Sequence, residues 1–249
     1  MTGTPIAPIA PIAPIAPMRF APLGDRAVMI TLGDTVSEST HRQVRSVTAR
    51  LAAHPPTGLV DVVPAFASVA VHYDPALAGR DAASSPYRDM VTALQEVLAN
   101  VAHDALPAPR LVDIPVCYGG EFGPDLSSVA DRHSMDPDDV VRIHTAGDYL
   151  VYMVGFMPGF AYLGGLSERI ATPRRSSPRT AVPAGTVGIG GQQTGVYPLV
   201  SPGGWNLIGR TPFKIFDIAR PEPGLLATGD RVRFRAISLE EFHERVAAS

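Results

Sequence analysis

The sequence predicts a two-domain chain, in which a small α+β domain precedes a glycine-rich all-β barrel or sandwich. Apolar periodicity over residues 25–118 gives the order β-α-β-β-α-β, which is the order of a ferredoxin-like unit. The stretch from Gly155 to Pro212 holds 12 of the chain's 23 glycines and seven prolines, which separate short apolar runs. Between the two lies the proline-spaced stretch Ala105 to Arg110, which is typical of a domain boundary. The length of 249 residues fits two modest domains.

The N-terminal domain is expected over residues 18–106. Its elements are a strand in DRAVMITL, a helix in SESTHRQVRSVTARLAA, two neighbouring strands in GLVDVVPAF and SVAVHYDP, and a helix in SSPYRDMVTALQEVLANVAHD. Ser84 or Ser85 is expected to cap the second helix before Pro86. The run RLVDIPVCY, Arg110 to Tyr118, is the last strand of the pattern, although it can instead belong to the next domain.

The C-terminal domain is expected over residues 107–249 and opens with two short helices in DLSSVADRHSMDPDDVVRIHTA, the second of them starting at Asp136 and Pro137. The pair superficially resembles a helix-turn-helix. From Asp125 to His144, however, five aspartates face two arginines, which is a poor surface for approaching phosphates, so a packed helical pair is favoured over a DNA-binding motif.

Strands of the barrel are predicted in the runs DYLVYMVGF, TAVPAGTVGI, GVYPLVS, TPFKIFDI and GDRVRFRAIS, and a short polar helix is predicted from about Leu239. The eight glycines between Gly185 and Arg210 are interpreted as turns of this barrel. Trp205, in the same stretch, is either a core residue or a stacking platform for a ligand.

Composition excludes several function classes. The net charge of -3 gives no broad attraction for nucleic acid or anionic lipid, and no apolar run reaches the roughly 18 to 20 residues that span a bilayer. Cys117 is the only cysteine, so an intramolecular disulfide is impossible and the cytoplasm is the expected compartment. Residues 1–17 are expected to be a disordered, proline-rich tail with polyproline II character. Its alternative role is that of a ligand for a proline-binding domain.

Familiar cofactor motifs are absent from the sequence. Gly190 and Gly195 have the spacing of a P-loop, but Val196 and Tyr197 stand where lysine and serine or threonine would contact phosphate and magnesium. The dinucleotide fingerprint fails as well, because its third glycine is missing. The seven histidines show no metal-ligand spacing, so no metal site is expected.

A local excess of arginine is the main chemical signal. Between Gly155 and Pro212, five arginines face one glutamate, which gives this segment a net charge of +4 in a chain of net -3. Guanidinium groups bind carboxylate or phosphate through paired hydrogen bonds, and the alternative is a set of solvent-facing loops. Arg174, Arg179 and Arg210 are the preferred candidates, and a nucleophilic pair of Cys117 and His144 stays conceivable.

Four ordered segments resemble a known family. IPVCYGGEFGPDL, VYMVGFMPGFAYLGGL, PRTAVPAGTVGIGGQQTGVYPLVSPGGWNLIGRTP and GDRVRF resemble the family of the 5-oxoprolinase B subunit, also called allophanate hydrolase subunit 1, which includes a sporulation-kinase inhibitor. The resemblance runs from about Leu23 to Ile237. It implies a small N-terminal α+β domain and a C-terminal cyclophilin-like β-barrel.

The resemblance also implies an activity. Members of this family act with the A and C subunits of an ATP-dependent enzyme that opens 5-oxoproline to L-glutamate, so ATP, with magnesium, is the expected co-substrate of the complex. Ligand-facing roles are expected for His144, Arg174, Arg179, Gln193, Tyr197 and Arg210. Two alternatives remain open: a regulatory module that inhibits a histidine kinase, and a component of a urea or allophanate carboxyltransferase. A stand-alone amidase is excluded, because Lys214 is the only lysine and no GGSS segment exists.

Overall fold

The computed structural model describes residues 18–79, 84–99, 101, 106 and 108–248. The chain divides into two compact units, residues 1–107 and 108–249, each with its own apolar core. The tail predicted for residues 1–17 lies outside the described residues, as do parts of the boundary stretch from 105 to 110.

The N-terminal unit is a four-stranded antiparallel sheet, in the order β1-β2-β4-β3, packed against helices. Its elements in chain order are β1 (Arg19–Pro22), β2 (Ala27–Thr31), α1 (Glu38–Ala53), β3 (Leu59–Pro64), β4 (Ser68–Tyr73), α2 (Pro75–Ala78) and α3 (Pro86–Leu98). Ser37 caps α1 by accepting a hydrogen bond from the Thr40 amide at 3.1 Å. The apolar faces of α1 and α3 and the inner face of the sheet form one buried cluster.

The last strand of the predicted β-α-β-β-α-β order belongs to the C-terminal unit, which is the alternative that the sequence left open. The run Leu111–Tyr118 (β5) pairs with strands of the C-terminal unit. The place beside β2 is taken by β1, whose sequence RFAP shows no clear alternation and was therefore not predicted. Four consecutive residues of β5, Ile114 to Cys117, are buried, and such a run fits a strand covered on both faces.

The C-terminal unit is a closed seven-stranded barrel, in the order β10-β7-β6-β13-β5-β12-β9. Its remaining strands are β6 (Tyr149–Val154), β7 (Ala161–Gly164), β9 (Thr186–Gly190), β10 (Gln193–Val196), β12 (Asn206–Arg210) and β13 (Arg231–Ala236). The barrel is mixed, because β5 and β13 run parallel while its other pairs are antiparallel. A separate two-stranded ribbon joins β8 (Arg179–Val182) to β11 (Ser201–Gly203).

Helices cover part of the barrel: α4 (Leu126–Arg132) and α5 (Pro137–Thr145) precede β6, and α6 (Leu239–Ala247) follows β13. Val129 of α4 and Val140 of α5 are fully buried in the barrel core, as expected for a packed helical pair. The predicted strand in TPFKIFDI is wrong. Residues 211–218 form turns, with one isolated bridge between Phe216 and Gly224, because Ile215 is buried without the alternation that a strand requires.

In the described part of the chain, no helix is long and apolar enough to cross a membrane.

Candidate functional site

Trp205 lies against a floor of glycines on the outer surface of the barrel. Ile189 of β9 and Val196 of β10 point into the core, so the alternate positions Gly188, Gly190 and Gly195 face outward. A Cβ atom at Gly190 would lie 2.5 Å from the indole Nε1, and Cβ atoms at Gly188 and Gly195 would each lie 3.2 Å from Trp205 atoms. These three glycines are therefore strand residues that make room for a ring, which corrects their interpretation as turns.

An aromatic cluster surrounds this tryptophan. The rings of Phe160, Tyr162 and Tyr197 meet Trp205 edge to face, with centroids 5.5, 6.3 and 6.5 Å away. Burial is the main cause that raises the pKa of the Tyr197 hydroxyl, and the Trp205 backbone opposes this shift. Trp205 is only 4% exposed, so it is the core of this cluster and not a platform on which a ligand stacks.

Three arginines border the aromatic cluster. The Arg174 guanidinium carbon lies 6.0 Å from the Trp205 ring centroid, within the range of a cation–π contact. Arg175 and Arg179 both donate to one carboxylate oxygen of Asp125, at 3.0 and 2.8 Å. Together these residues form what we call the arginine–tryptophan cluster: Asp125, Phe160, Tyr162, Arg174, Arg175, Arg179, Tyr197 and Trp205.

Asp125 ties the arginines to the barrel. Its second carboxylate oxygen accepts the Leu207 amide of β12 at 2.7 Å, and the residue is 4% exposed. One carboxylate against three guanidinium groups leaves the cluster with a net charge of +2. Nη1 of Arg179 is buried and has no hydrogen-bond partner among the described residues. Since buried polar atoms are normally satisfied, this nitrogen is suited to an anionic ligand group.

We expect Asp125→Asn to destabilise the barrel by about 2 kcal/mol, because a partly buried guanidinium loses its counter-charge while the side-chain volume is kept. Chemical denaturation followed by the fluorescence of Trp205, the only tryptophan, measures the loss. The matched control is Asp148→Asn, whose carboxylate is 67% exposed and 3.5 Å from Arg231 and which should change stability by less than about 0.5 kcal/mol. Equal effects of the two substitutions would contradict the role given to Asp125.

His144, which was expected to face a ligand, is fully buried inside the barrel. Thr194 Oγ1 donates to the Gly188 carbonyl at 3.0 Å, so it accepts from His144 Nε2 at 2.9 Å. The other ring nitrogen, Nδ1, then accepts from the Tyr118 hydroxyl at 2.7 Å. Burial lowers the pKa of His144 to about 3, so the ring is neutral and structural.

The Cys117–His144 nucleophilic pair is not formed, because both nitrogens of the histidine have other partners. Cys117 is buried and packs with Ile237 and Phe242. Burial, with a smaller contribution from Glu121, raises the pKa of the Cys117 thiol, so this sulfur stays protonated and poorly nucleophilic.

The structure brings only part of the expected set together. Arg174, Arg179 and Tyr197 belong to the arginine–tryptophan cluster. Gln193 lies opposite Gly190 in the β9–β10 pair, on the same outer face as Trp205, and is half-buried. Arg210 ends β12, about 16 Å of extended chain away from Trp205, and contacts Ala184 and Phe122.

Sequence reasoning missed two residues of this region. Asp125 was counted only as one of five aspartates that repel phosphate, and nothing in its local pattern indicates partners 50 and 54 residues away. Phe156, in the loop between β6 and β7, is 66% exposed and has φ of 73°, a backbone conformation that is strained for a bulky residue. Its ring meets Phe160 at 5.6 Å, so the loop extends the aromatic cluster outward. The signal was the glycine pair that flanks it, in GFMPG.

Over the residues described, no group of three or more histidine, cysteine, aspartate or glutamate side chains is arranged to hold a metal ion.

The closed barrel of the C-terminal unit matches a known class of domain. The family model of the carboxyltransferase domain, subdomain C and D, matches residues 18–226. The urea carboxylase of Kluyveromyces lactis has the same fold, with a TM-score of 0.72 at 19% identity, over 95% of this chain and 24% of that chain.

Relatives with higher sequence identity assign the chain to one family within this class. The B subunit of 5-oxoprolinase from Bacillus subtilis (strain 168) is 47% identical over 224 residues, which cover 89% of this chain and 93% of that protein. The solved structure of TTHA0988 is similar with a TM-score of 0.73 at 37% identity, over 86% of this chain, which spans only 40% of that longer chain. The chain belongs to the family of the 5-oxoprolinase B subunit.

Proposed function

We propose that this protein is the B subunit of an ATP-dependent 5-oxoprolinase, which acts in the cytoplasm with the A and C subunits to open 5-oxoproline to L-glutamate. The observation that carries the proposal is the 47% identity to a 5-oxoprolinase B subunit over nearly the full length of both chains. A hydrolase component of this kind is not autonomous, so the activity belongs to the complex.

The arginine–tryptophan cluster is the proposed site for the substrate. 5-Oxoproline carries one carboxylate on a five-membered lactam ring, and the net charge of +2 and the unpaired Nη1 of Arg179 suit that carboxylate. Arg174 is exposed and free to turn from Trp205 toward the ligand, and Gln193 supplies an amide on the same face. Tyr197 is 2% exposed, so its role is to hold Trp205 and the ribbon in place. His144 and Arg210 are left out of the substrate site.

ATP would supply the activation that a lactam needs. The ring amide is resonance-stabilised, and phosphorylation of its oxygen converts it into a good electrophile. In this chain the glycines near Gly190 lie in a β-hairpin and not in a strand-to-helix turn, so they do not form a phosphate loop. We therefore assign ATP, with magnesium, to a partner protein or a shared surface, while this chain binds and orients the substrate carboxylate.

The loop of Phe156 is the proposed contact with a companion protein of the complex. An exposed ring held in a strained backbone is retained where a function requires it, and burying this ring against a partner would remove apolar surface from water. In the similar structure of TTHA0988, this chain corresponds to only 40% of a longer chain. That arrangement supports a protein that works together with a second component.

The test is reconstitution with candidate A and C subunits, followed by measurement of ATP hydrolysis and glutamate release that depend on 5-oxoproline. Arg179→Gln and Arg174→Gln should each raise the KM for 5-oxoproline by about 10-fold to 100-fold with a small change in kcat, because each removes a charged hydrogen bond made in ground state and transition state alike. Arg233→Gln, an exposed arginine of β13, is the matched control and should leave both constants unchanged.

Several outcomes would reject the proposal. An unchanged KM in both variants would remove the substrate site from this cluster. Full activity in a mixture that lacks this chain would remove it from the enzyme. Turnover of urea that depends on a biotinylated carrier would favour the carboxyltransferase alternative, and inhibition of a histidine kinase without any turnover would favour the regulatory one.

A further inference from the structure

A second cleft lies on the C-terminal unit, at the end of β12 opposite to Trp205. Its volume is about 470 Å³, within the range of small-molecule sites. It is formed by the loop after β5, the turn before β9, the segment after β12 and one face of α6. Its lining includes Glu121, Phe122, Arg210, Phe213, Lys214 and Phe242.

One wall of the cleft is aromatic. Phe122 and Phe213 are half-buried and line the cleft, and Phe242, which is only 6% exposed, packs against Phe122 with ring centroids 4.4 Å apart. Val246 of α6 continues the wall and is 49% exposed. Such a surface favours a flat apolar body, because aromatic rings gain from both contact area and edge-to-face or offset geometry.

Arg210 presents a fixed cation to this wall. Its Nε donates to the Ala184 carbonyl at 3.0 Å, and its guanidinium carbon lies 5.8 Å from the Phe122 ring centroid. These two contacts restrain the guanidinium plane and leave its two terminal nitrogens without a hydrogen-bond partner among the described residues. A restrained fork of N–H donors is the geometry that binds a carboxylate through two parallel hydrogen bonds.

The other charges limit the ligand to a single negative charge. Lys214 Nζ is paired with the Asp217 carboxylate at 2.9 Å, so much of its charge is already neutralised. Glu121 lines the same cleft and would repel a polyanion such as a nucleotide triphosphate. One available guanidinium beside one carboxylate fits a monocarboxylate better than a phosphate chain.

We propose that this cleft is a second ligand site, which binds a small carboxylic acid with a flat apolar body through Arg210 and the phenylalanine wall. The ligand is larger and less polar than the 5-oxoproline ring, which has no aromatic surface to offer Phe122 and Phe213. The site is separate from the arginine–tryptophan cluster and adds to the proposed substrate site a place for another molecule.

Binding to the isolated full chain tests the proposal, with 3-phenylpropionate as the probe, by titration calorimetry and by NMR. Three comparisons define the site: 3-phenylpropionamide removes only the charge, propionate removes only the ring, and 5-oxoproline is added as a competitor. Arg210→Gln should weaken binding of the probe by at least about tenfold. Arg210→Lys should weaken binding less, because lysine keeps the positive charge and loses only the forked pair of N–H donors. Phe213→Ala should also weaken binding of the probe, because it removes part of the aromatic wall. Arg233→Gln is again the control.

The expected result is saturable binding of the probe and no saturable binding of the amide or of propionate. Arg210→Gln should bind the probe at least about tenfold more weakly while its thermal unfolding stays close to that of the parent chain. The absence of saturable binding to the parent chain would overturn the proposal, and so would equal binding by parent and Arg210→Gln. Displacement of the probe by 5-oxoproline would overturn the claim of a separate site. Because the assay needs no companion protein, its outcome is independent of whether the complex is a 5-oxoprolinase.

Discussion

Acidification from pH 6.5 to pH 3 is expected to cost the C-terminal unit about 5 kcal/mol of stability through His144 alone. In the unfolded chain this histidine takes up a proton near pH 6.5, whereas in the folded barrel its pKa is about 3. The unfolded state therefore binds one more proton throughout this interval, and stability falls as pH falls. Above pH 6.5 the histidine is neutral in both states and contributes no slope, and below pH 3 the loss is complete.

The measurement is denaturant unfolding followed by Trp205 fluorescence at several pH values from 7.5 to 4.5. His144→Gln should lower stability at pH 7.5, because the Tyr118 hydroxyl or Thr194 loses a hydrogen-bond partner. Below pH 6, the slope of its free energy of unfolding against pH should be smaller than that of the parent chain by about 1.4 kcal/mol per pH unit. Thr194→Val keeps the histidine and should keep the slope. Identical slopes for the parent chain and His144→Gln would show that the folded barrel accepts the proton.

Gly123→Ala is expected to destabilise the same unit by at least about 3 kcal/mol, because the added methyl group has no room. A Cβ atom at Gly123 would lie 2.2 Å from the Ile208 carbonyl oxygen and 2.7 Å from the Gly119 amide nitrogen. These are backbone atoms of a barrel strand and of a turn, so they cannot move aside as a flexible side chain can. The loop also carries Asp125, whose amide donates to the Leu207 carbonyl at 3.0 Å, so the arginine–tryptophan cluster should loosen as well.

Gly120→Ala is the control in the same loop. Gly120 has φ of 53° and open space around its Cβ position, so alanine there meets only the cost of a left-handed backbone, about 1 to 2 kcal/mol. The denaturation midpoints of the two variants, at similar m-values, show whether the steric clash with β12 or the backbone conformation of the loop requires glycine at position 123. Equal losses would mean that backbone conformation and not the approach of β12 determines the requirement for glycine at position 123.

Local pattern was sufficient for many elements of the fold. The helices around Val44 and Leu94, the β3–β4 hairpin and the pair of helices before β6 all follow from the apolar period. Ser85 stands at the N-cap position of the helix around Leu94, as expected, but its side chain makes no capping hydrogen bond. Local patterns did not show which strands pair with each other. The sequence of β5 suits a strand in either unit, and only its parallel pairing with β13, more than 100 residues later, assigns it to the barrel. The strand predicted in residues 211–218 fails for the same reason, since apolar content does not reveal which residues lie next to which.

The candidate site likewise combines features that local sequence indicates with features that depend on long-range contacts. The arginine excess pointed to Arg174 and Arg179, which do lie together, because the charge of a segment is visible in sequence. The burial of His144, the shared carboxylate of Asp125 and the glycine floor under Trp205 depend on contacts between segments far apart in the chain. The strain at Phe156 results from its positive φ, which the identity of the residue does not predict.

The position of β13 has a consequence for how the protein is made. This strand lies between β5 and β6 in the barrel, although residues 231–236 leave the ribosome more than 100 residues after β5. Until they emerge, two strand edges stay unpaired and the cylinder cannot close, however much of the earlier sheet has formed. Closure then requires a contact between distant parts of the chain, which is slow and leaves an aggregation-prone intermediate. A stop codon before residue 231 would therefore remove the strand on which closure of the whole barrel depends.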